Sequence, residues 1–283
     1  MERYQKKNEL IRSRRGVVSF MGYDTQLGLE VTWHEVDTSN YSQDDLDGFM
    51  SYLSMRESLK SLDIIADLAH WESERKVIVI TESTKSATIW DRVFGEVFGE
   101  ARSPPRPIAV SKWFFSVLKA LKYLHSQGIV HKHVELTNMY IKSGASTVKL
   151  SQPPEFKIAS QFTVTTPPEF FTGAYQTGSD IWQVGITILE ALTGKLPYQE
   201  CKTPMELISR IQSCTAPELL DEVADQNAKD LIKMCLAPLS ERPTAGELLL
   251  HQFFTESAAD GQQSLNPTTH IEFLFENKAP VVE

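Results

Sequence analysis

Cysteine is scarce in this chain, which has three cysteines in 283 residues, at Cys201, Cys214 and Cys235. Their number is odd and no two have C-x-x-C spacing, which argues against a disulfide framework and against a zinc site. No run approaches the roughly eighteen apolar residues of a membrane-spanning helix, and the N-terminus lacks the apolar segment of a secretory signal. We therefore expect a cytoplasmic protein without an integral membrane segment, with the nucleus not excluded.

Positive charge is also in deficit, with 28 Lys and Arg against 37 Asp and Glu and a formal net charge of -9. A general nucleic-acid-binding protein needs a basic face to neutralise phosphates, so we expect no nucleic-acid partner. The one dense basic cluster contains Lys6, Lys7, Arg12, Arg14 and Arg15. We expect it to form a solvated basic arm over residues 1–15 rather than a binding patch.

Apolar periodicity predicts strands first and helices later. Strands are indicated at residues 17–21, 29–36, 64–71 and 76–81, and a polar helix at about residues 42–60. Apolar side chains spaced three and four apart predict helices near residues 110–124, 181–192, 204–211, 226–235 and 244–251. A β-rich lobe followed by a helical lobe is an α+β arrangement.

Four motifs follow one another in the order typical of protein kinases. They are the segment from His131 to Asn138, Pro167-Pro168-Glu169, Asp180-Ile181-Trp182 with Gly185, and Glu241-Arg242-Pro243-Thr244. On these motifs the chain resembles the protein kinases. Its N-terminal part, with Glu30-Val31-Thr32-Trp33-His34 and Ile80-Thr81-Glu82, resembles the with-no-lysine (WNK) kinases and the nuclear-receptor-binding-protein (NRBP) pseudokinases.

The resemblance implies a bilobal kinase-like fold of the α+β class. It divides the chain into a degenerate N-lobe at residues 16–82, a C-lobe at residues 83–254, and a linker with a C-terminal tail at residues 255–283. Alternating apolar residues at 270–276 suit an added strand or a docking peptide, which leaves open whether the tail binds a partner or its own C-lobe.

The resemblance also assigns structural roles to the retained residues. In kinases the Asp matching Asp180 accepts hydrogen bonds from the catalytic-loop backbone, and the residues matching Glu169 and Arg242 form a buried ion pair. His131 matches a histidine that packs beneath the activation segment, and Asn138 matches the last residue of the loop motif. These residues indicate the fold and do not bear on catalysis.

The positions that carry the chemistry of kinases are substituted. The catalytic Asp, the phosphate-binding Lys, the metal-binding Asp and the helix Glu correspond here to His133, His34, Gln152 and Tyr52. An imidazole is usually neutral at pH 7, so His34 is no fixed cation for phosphates. Mg²⁺ prefers carboxylates, whereas Gln152 and Asn138 offer neutral amides. We expect no bound metal and no cofactor.

These losses favour a pseudokinase, which is not an enzyme and acts as an adaptor, scaffold or allosteric regulator in signalling. We expect its partners to be proteins, and the resemblance implies that signalling kinases are among them. His133 as a general base is disfavoured against a packed or solvent-facing histidine. Two alternatives stay open: a pseudokinase that binds ATP without turnover, and a divergent Ser/Thr kinase with unusual ATP geometry, in which Glu135 or Glu155 replaces the lost carboxylate.

Overall fold

The computed structural model describes residues 3–14, 16–97, 100–101, 103–142, 147–152, 162–173 and 175–254. The chain divides into two compact units. Unit 1 comprises Met1–Ser86 and Ser151–Gln161, and unit 2 comprises Ala87–Leu150 and Phe162–Glu283.

Unit 1 is built on a five-stranded antiparallel sheet in the order β1-β2-β3-β5-β4. The strands are β1 (Tyr4–Arg14), β2 (Val17–Asp24), β3 (Leu29–Asp37), β4 (Asp67–Ser73) and β5 (Lys76–Glu82). Helix α1 (Gln43–Glu57) begins with a capping box between Ser42 and Asp45. It packs Phe49 and Leu53 against one face of the sheet, in a buried cluster with valines of β2, β3 and β5.

Strand β1 occupies most of the segment that the sequence predicted to be a solvated arm. It pairs with β2 from Tyr4↔Asp24 to Arg14↔Val17, and Gly16, with φ +79°, turns the hairpin. The prediction overlooked that basic side chains are common on edge strands, where acidic side chains of neighbouring strands can pair with them. Lys6 donates to Glu35 at 2.6 Å and lies 3.6 Å from the centre of the Phe20 ring.

Unit 2 is mainly helical. Its elements are α2 (Ile89–Val93), β6 (Glu96–Val97), β7 (Glu100–Ala101), α3 (Pro107–Ser126), β8 (Met139–Ile141), β9 (Val148–Leu150), α4 (Thr177–Thr193), α5 (Pro204–Gln212), α6 (Gln226–Cys235) and α7 (Ala245–Leu248). Helix α4 is central, with almost every side chain from Ser179 to Ala191 buried. A Cβ on its Gly185 would lie 2.6 Å from the Cys235 Cβ, so glycine lets α4 and α6 approach closely.

The predicted α+β class is confirmed, with a sheet in unit 1 and a helical unit 2. The predicted linker and tail at residues 255–283 lie outside the described residues. Within the described part of the chain, no helix is long and apolar enough to cross a membrane.

Candidate active site

The loop from His131 to Asn138 in unit 2 follows α3 and ends in a 3₁₀ turn, Leu136–Asn138, before β8. Buried irregular backbone needs hydrogen-bond partners from elsewhere in the protein. The Asp180 carboxylate in α4 is fully buried and accepts from the backbone N–H groups of His131 at 2.9 Å and Lys132 at 2.7 Å. The Nε2 atom of His125 lies 2.7 Å from the same carboxylate. Helix α4 therefore holds the start of the loop.

The side chain of Gln183, one turn further along α4, binds the loop on both sides of His133. Its Nε2 donates to the Lys132 carbonyl at 2.8 Å, and its Oε1 accepts from the Val134 N–H at 3.0 Å. The Asn138 Nδ2 donates to the His133 carbonyl at 2.9 Å. One amide on the helix and one at the end of the loop thus fix the backbone around position 133.

Two further contacts complete this network. The His133 N–H donates to His131 Nδ1 at 3.3 Å, and the Thr187 hydroxyl lies 2.9 Å from the Val134 carbonyl. Each backbone N–H and C=O of Lys132, His133 and Val134 therefore has a side-chain partner. This part of the loop is therefore held by side chains rather than by regular secondary structure.

Lys132 adopts the left-handed backbone region, with φ +68°. This conformation costs a residue other than glycine about 1–2 kcal/mol. Such a residue persists where its surroundings over-determine it, and here Asp180 binds its N–H while Gln183 binds its C=O. The strain lies directly before His133.

A second buried network of unit 2 ties the segment around Glu169 to later helices. Arg242 forms an ion pair with Glu169 and also donates to the Gly178 carbonyl at 3.0 Å and the Ala237 carbonyl at 2.7 Å. Its guanidinium carbon lies 5.0 Å from the centre of the Trp182 ring. Both charged side chains are nearly sealed from solvent, so either one alone would be a buried, unpaired charge.

One buried carboxyl of α4 takes part in neither network. Glu190 is 4% exposed, and burial together with the nearby charge of Glu135 raises its pKa to about 8. It is therefore mainly protonated at neutral pH. Glu135, one of two candidates for a replacement carboxylate, belongs to the loop and accepts from the Thr137 hydroxyl at 3.4 Å. The other candidate, Glu155, lies outside the described residues.

In unit 1, His34 sits on the face of the sheet toward α1, between two hydroxyl groups. The Ser19 Oγ lies 2.8 Å from Nδ1, and the Thr81 Oγ1 lies 3.1 Å from Nε2. Because the Thr81 hydroxyl donates to the Glu82 carbonyl, it can only accept from His34, which assigns the ring proton to Nε2. Burial and the charge of Arg56 lower the His34 pKa to about 3. His34 is thus a neutral group inside the sheet.

Arg56 is the buried cation of unit 1, one helical turn after Tyr52. It binds Asp67 through two hydrogen bonds, of 2.6 and 2.9 Å, and donates to the backbone carbonyl of Gln152 at 2.6 Å. Its guanidinium carbon also lies 5.5 Å from the centre of the Tyr52 ring. Tyr52, which the sequence predicts to stand at the helix-glutamate position of kinases, therefore adjoins a buried Arg–Asp pair.

The contacts of Gln152 and of Asn138 show whether each side chain suits a magnesium ion. Gln152, in unit 1, is buried; its side-chain amide nitrogen has no partner among the described residues, and the Arg56 guanidinium donates to its backbone carbonyl. Asn138, in unit 2, donates its amide nitrogen to the His133 backbone carbonyl. Mg²⁺ favours carboxylate oxygens, and each of these side chains offers only a neutral amide. Taken each in its own unit, neither residue fits the ion.

Sequence reasoning missed several polar residues that the structure places in these networks. They are Arg56, Asp67, Gln183, Thr187 and Glu190. Gln183 lies at an unspecified position of the D-x-W-x-x-G motif. The sequence offered one clue to such residues: a polar side chain in an otherwise apolar helix is buried and needs a hydrogen-bond partner inside the protein.

The family model for the protein kinase domain matches residues 4–254. The chain belongs to the protein kinase family. It is 27% identical to the probable serine/threonine-protein kinase WNK10 of Arabidopsis thaliana, over 98% of this chain and 54% of that protein. It is 28% identical to the serine/threonine-protein kinase WNK8 of the same plant, over 86% of this chain and 44% of that protein. The match to the serine/threonine-protein kinase Wnk of Drosophila melanogaster is 25% over 93% of this chain and 11% of that protein.

The kinase chain thus spans about half the length, or less, of these curated relatives. The resemblance to the WNK kinases is confirmed, whereas the resemblance to the NRBP pseudokinases stays a prediction. The prediction that the chain is not an enzyme is contradicted, because the relatives are named as serine/threonine kinases. That prediction rested on the substituted catalytic positions and gave little weight to the capacity of an imidazole to accept a proton.

Proposed function

We propose that this chain is a divergent serine/threonine protein-kinase domain, related to the WNK kinases, that uses ATP in an unusual geometry. The observation that carries the proposal is the loop of unit 2, in which side chains bind the backbone on both sides of His133. A loop held in this way keeps residue 133 in a defined position, and its imidazole can still accept a proton. Protein partners, including protein substrates, and a cytoplasmic location are part of the proposal.

His133 acts as the general base in this proposal. As the hydroxyl oxygen of a substrate Ser or Thr bonds to the γ-phosphorus of ATP, the bond from that phosphorus to the bridging oxygen breaks and ADP leaves. The hydroxyl proton passes to the imidazole. Histidine is the side chain that most often serves as a general base.

The unusual geometry concerns the phosphates. In this proposal His34 stays neutral and does not bind them, and no step is assigned to a metal at Gln152 and Asn138. Glu135 remains the loop carboxylate closest in sequence to His133. The groups that neutralise the transferring phosphoryl group therefore differ from the usual kinase set.

The test is direct transfer of labelled γ-phosphate from ATP to a library of Ser- and Thr-containing peptides, with magnesium, with manganese and with a chelator. We expect label on peptide hydroxyls, and a His133→Ala variant slower by about 10²–10⁴-fold, the usual worth of a general base. The matched control is His251→Ala, which removes a partly buried histidine of unit 2 outside the loop.

Transfer by the wild type that is lost in His133→Ala but not in His251→Ala would support the proposal. Absence of transfer under all three conditions would contradict it, including the case in which ATP raises the melting temperature without being turned over. Equal rates in wild type and His133→Ala would also contradict it, because they would assign the reaction to another group.

A further inference from the structure

The residue that binds both peptide groups next to His133 is not among the residues that the kinase motifs specify. Gln183 stands between the tryptophan and the glycine of Asp180-Ile181-Trp182-Gln183-Val184-Gly185, at a position the motif leaves open. It is 3% exposed although it carries an uncharged polar group in the middle of a buried helix. Burying an amide in such a place costs free energy unless its donor and acceptor find hydrogen-bond partners.

Both ends of the amide are used by the loop. Nε2 donates to the Lys132 carbonyl at 2.8 Å and Oε1 accepts from the Val134 N–H at 3.0 Å. Because these two groups flank His133, one rigid planar amide limits rotation of the backbone on both sides of that residue. The backbone of a residue fixes the direction of its Cα–Cβ bond and restricts its rotamers, so this contact also limits where the imidazole can point.

The residue before His133 is strained, which makes the contact from Gln183 more important. Lys132 is in the left-handed region, and its carbonyl is held by Gln183. Without that hydrogen bond the Lys132–His133 peptide keeps only the contact of its N–H with His131 Nδ1, and it can rotate as Lys132 relaxes toward an ordinary conformation. The rotation would turn His133 while the Asp180 anchor at the Lys132 N–H remained in place.

We propose that Gln183 is a positioning residue for phosphoryl transfer, which holds the backbone on both sides of His133 and so aims its imidazole at the substrate hydroxyl. The inference rests on the proposed function, since it assumes that His133 accepts the hydroxyl proton. Gln183 itself does not contact the reacting atoms; it acts through the loop.

The test uses the full chain with Gln183→Met, which keeps nearly the same side-chain volume and removes both hydrogen bonds, beside Gln183→Ala. The control is Gln212→Ala, at the exposed C-terminal end of α5. We measure kcat and the KM values for ATP and peptide, and the His133 ring signals in NMR spectra of protein with labelled histidine. The expected result for Gln183→Met is a kcat at least tenfold lower, KM values within twofold of wild type, and displaced His133 signals, with no change in the control.

Unchanged His133 signals in a folded Gln183→Met protein would overturn the inference. A parallel loss of kcat, of substrate binding and of thermal stability would also overturn it, because a purely structural role predicts that pattern. If the wild type transfers no phosphate, the proposed function fails separately. The NMR comparison then decides alone whether Gln183 sets the orientation of residue 133, displaced signals supporting the positioning role and unmoved signals overturning it.

Discussion

The two units use their buried polar side chains differently. In unit 2, Asp180, Gln183 and Arg242 bind backbone groups of irregular segments. They hold loops that lack the repeating backbone hydrogen bonds of a helix or sheet. In unit 1, the Ser19 and Thr81 hydroxyls bracket the His34 ring, so this side chain is bound by other side chains. Unit 2 thus holds a loop through side-chain contacts to its backbone, whereas unit 1 encloses a buried imidazole between two hydroxyl groups.

The two kinds of contact predict a different tolerance of replacement. A side chain that binds backbone is constrained by the path of the chain, so we expect Asp180 to tolerate replacement poorly. Two side chains that bind each other can be exchanged together, provided that neither is left as a buried, unpaired charge. Arg56 and Asp67 form such a pair, although Arg56 also reaches the Gln152 carbonyl.

The largest expected effect comes from breaking that pair. Arg56→Met should lower the free energy of unfolding by about 3–5 kcal/mol, because it leaves the Asp67 carboxylate buried without a partner. The double variant Arg56→Met/Asp67→Leu should recover most of the loss if the pair is self-contained. Urea unfolding followed by circular dichroism measures both.

The control for this experiment is an exposed ion pair of unit 2. Lys195 and Glu222 are about half exposed, so Lys195→Met should change the unfolding free energy by at most about 1 kcal/mol. A double variant no more stable than Arg56→Met would show that the contact with the Gln152 carbonyl matters more than the pair.

The next effect concerns the protonated carboxyl of unit 2. Because the Glu190 pKa is raised from 4.5 to about 8, its contribution to stability is present below pH 4.5 and is lost as the pH rises toward 8. Glu190→Gln should therefore stabilise the protein by roughly 3 kcal/mol at pH 7, at 1.36 kcal/mol per pKa unit, and have little effect at pH 4. Parallel stability curves for variant and wild type between pH 4 and pH 8 would refute this assignment.

The corresponding effect in unit 1 has the opposite sign. The His34 pKa falls from 6.5 to about 3, so stability is present above pH 6.5 and is lost as the pH falls toward 3. At pH 5 the loss should be about 2 kcal/mol, and His34→Gln should remove that slope while keeping a polar group between Ser19 and Thr81. Thermal melts at pH 7.5 and pH 5 test the slope. Equal acid destabilisation in both proteins would place the titrating group elsewhere.

The sequence predicted the elements better than the contacts. Helices such as α3 and α6, and strands β2, β3 and β5, follow from apolar spacing because each buries one regular face. Strand β1 escaped prediction because its charges are neutralised across the sheet by residues distant in sequence, such as Glu35.

The same limit applies to the candidate site. Its motif residues, such as Asp180 and Asn138, could be named because their spacing is shared with kinases. Arg56–Asp67 and the contact from Gln183 to the loop join residues 11 and 51 positions apart, and no local pattern encodes such pairs. The sequence predicted a neutral His34 from the ordinary behaviour of imidazole, but it could not give the lowered pKa, which depends on burial that only the folded sheet provides.

The most direct test of the account is the pH dependence of phosphate transfer by the wild type and by His133→Asp. If His133 accepts the substrate proton, the wild-type rate should fall as acid protonates the imidazole, and the aspartate variant should move that limb to lower pH, because a carboxyl group is the stronger acid. An identical acid limb in both proteins, or no transfer by the wild type at any pH, would contradict the account.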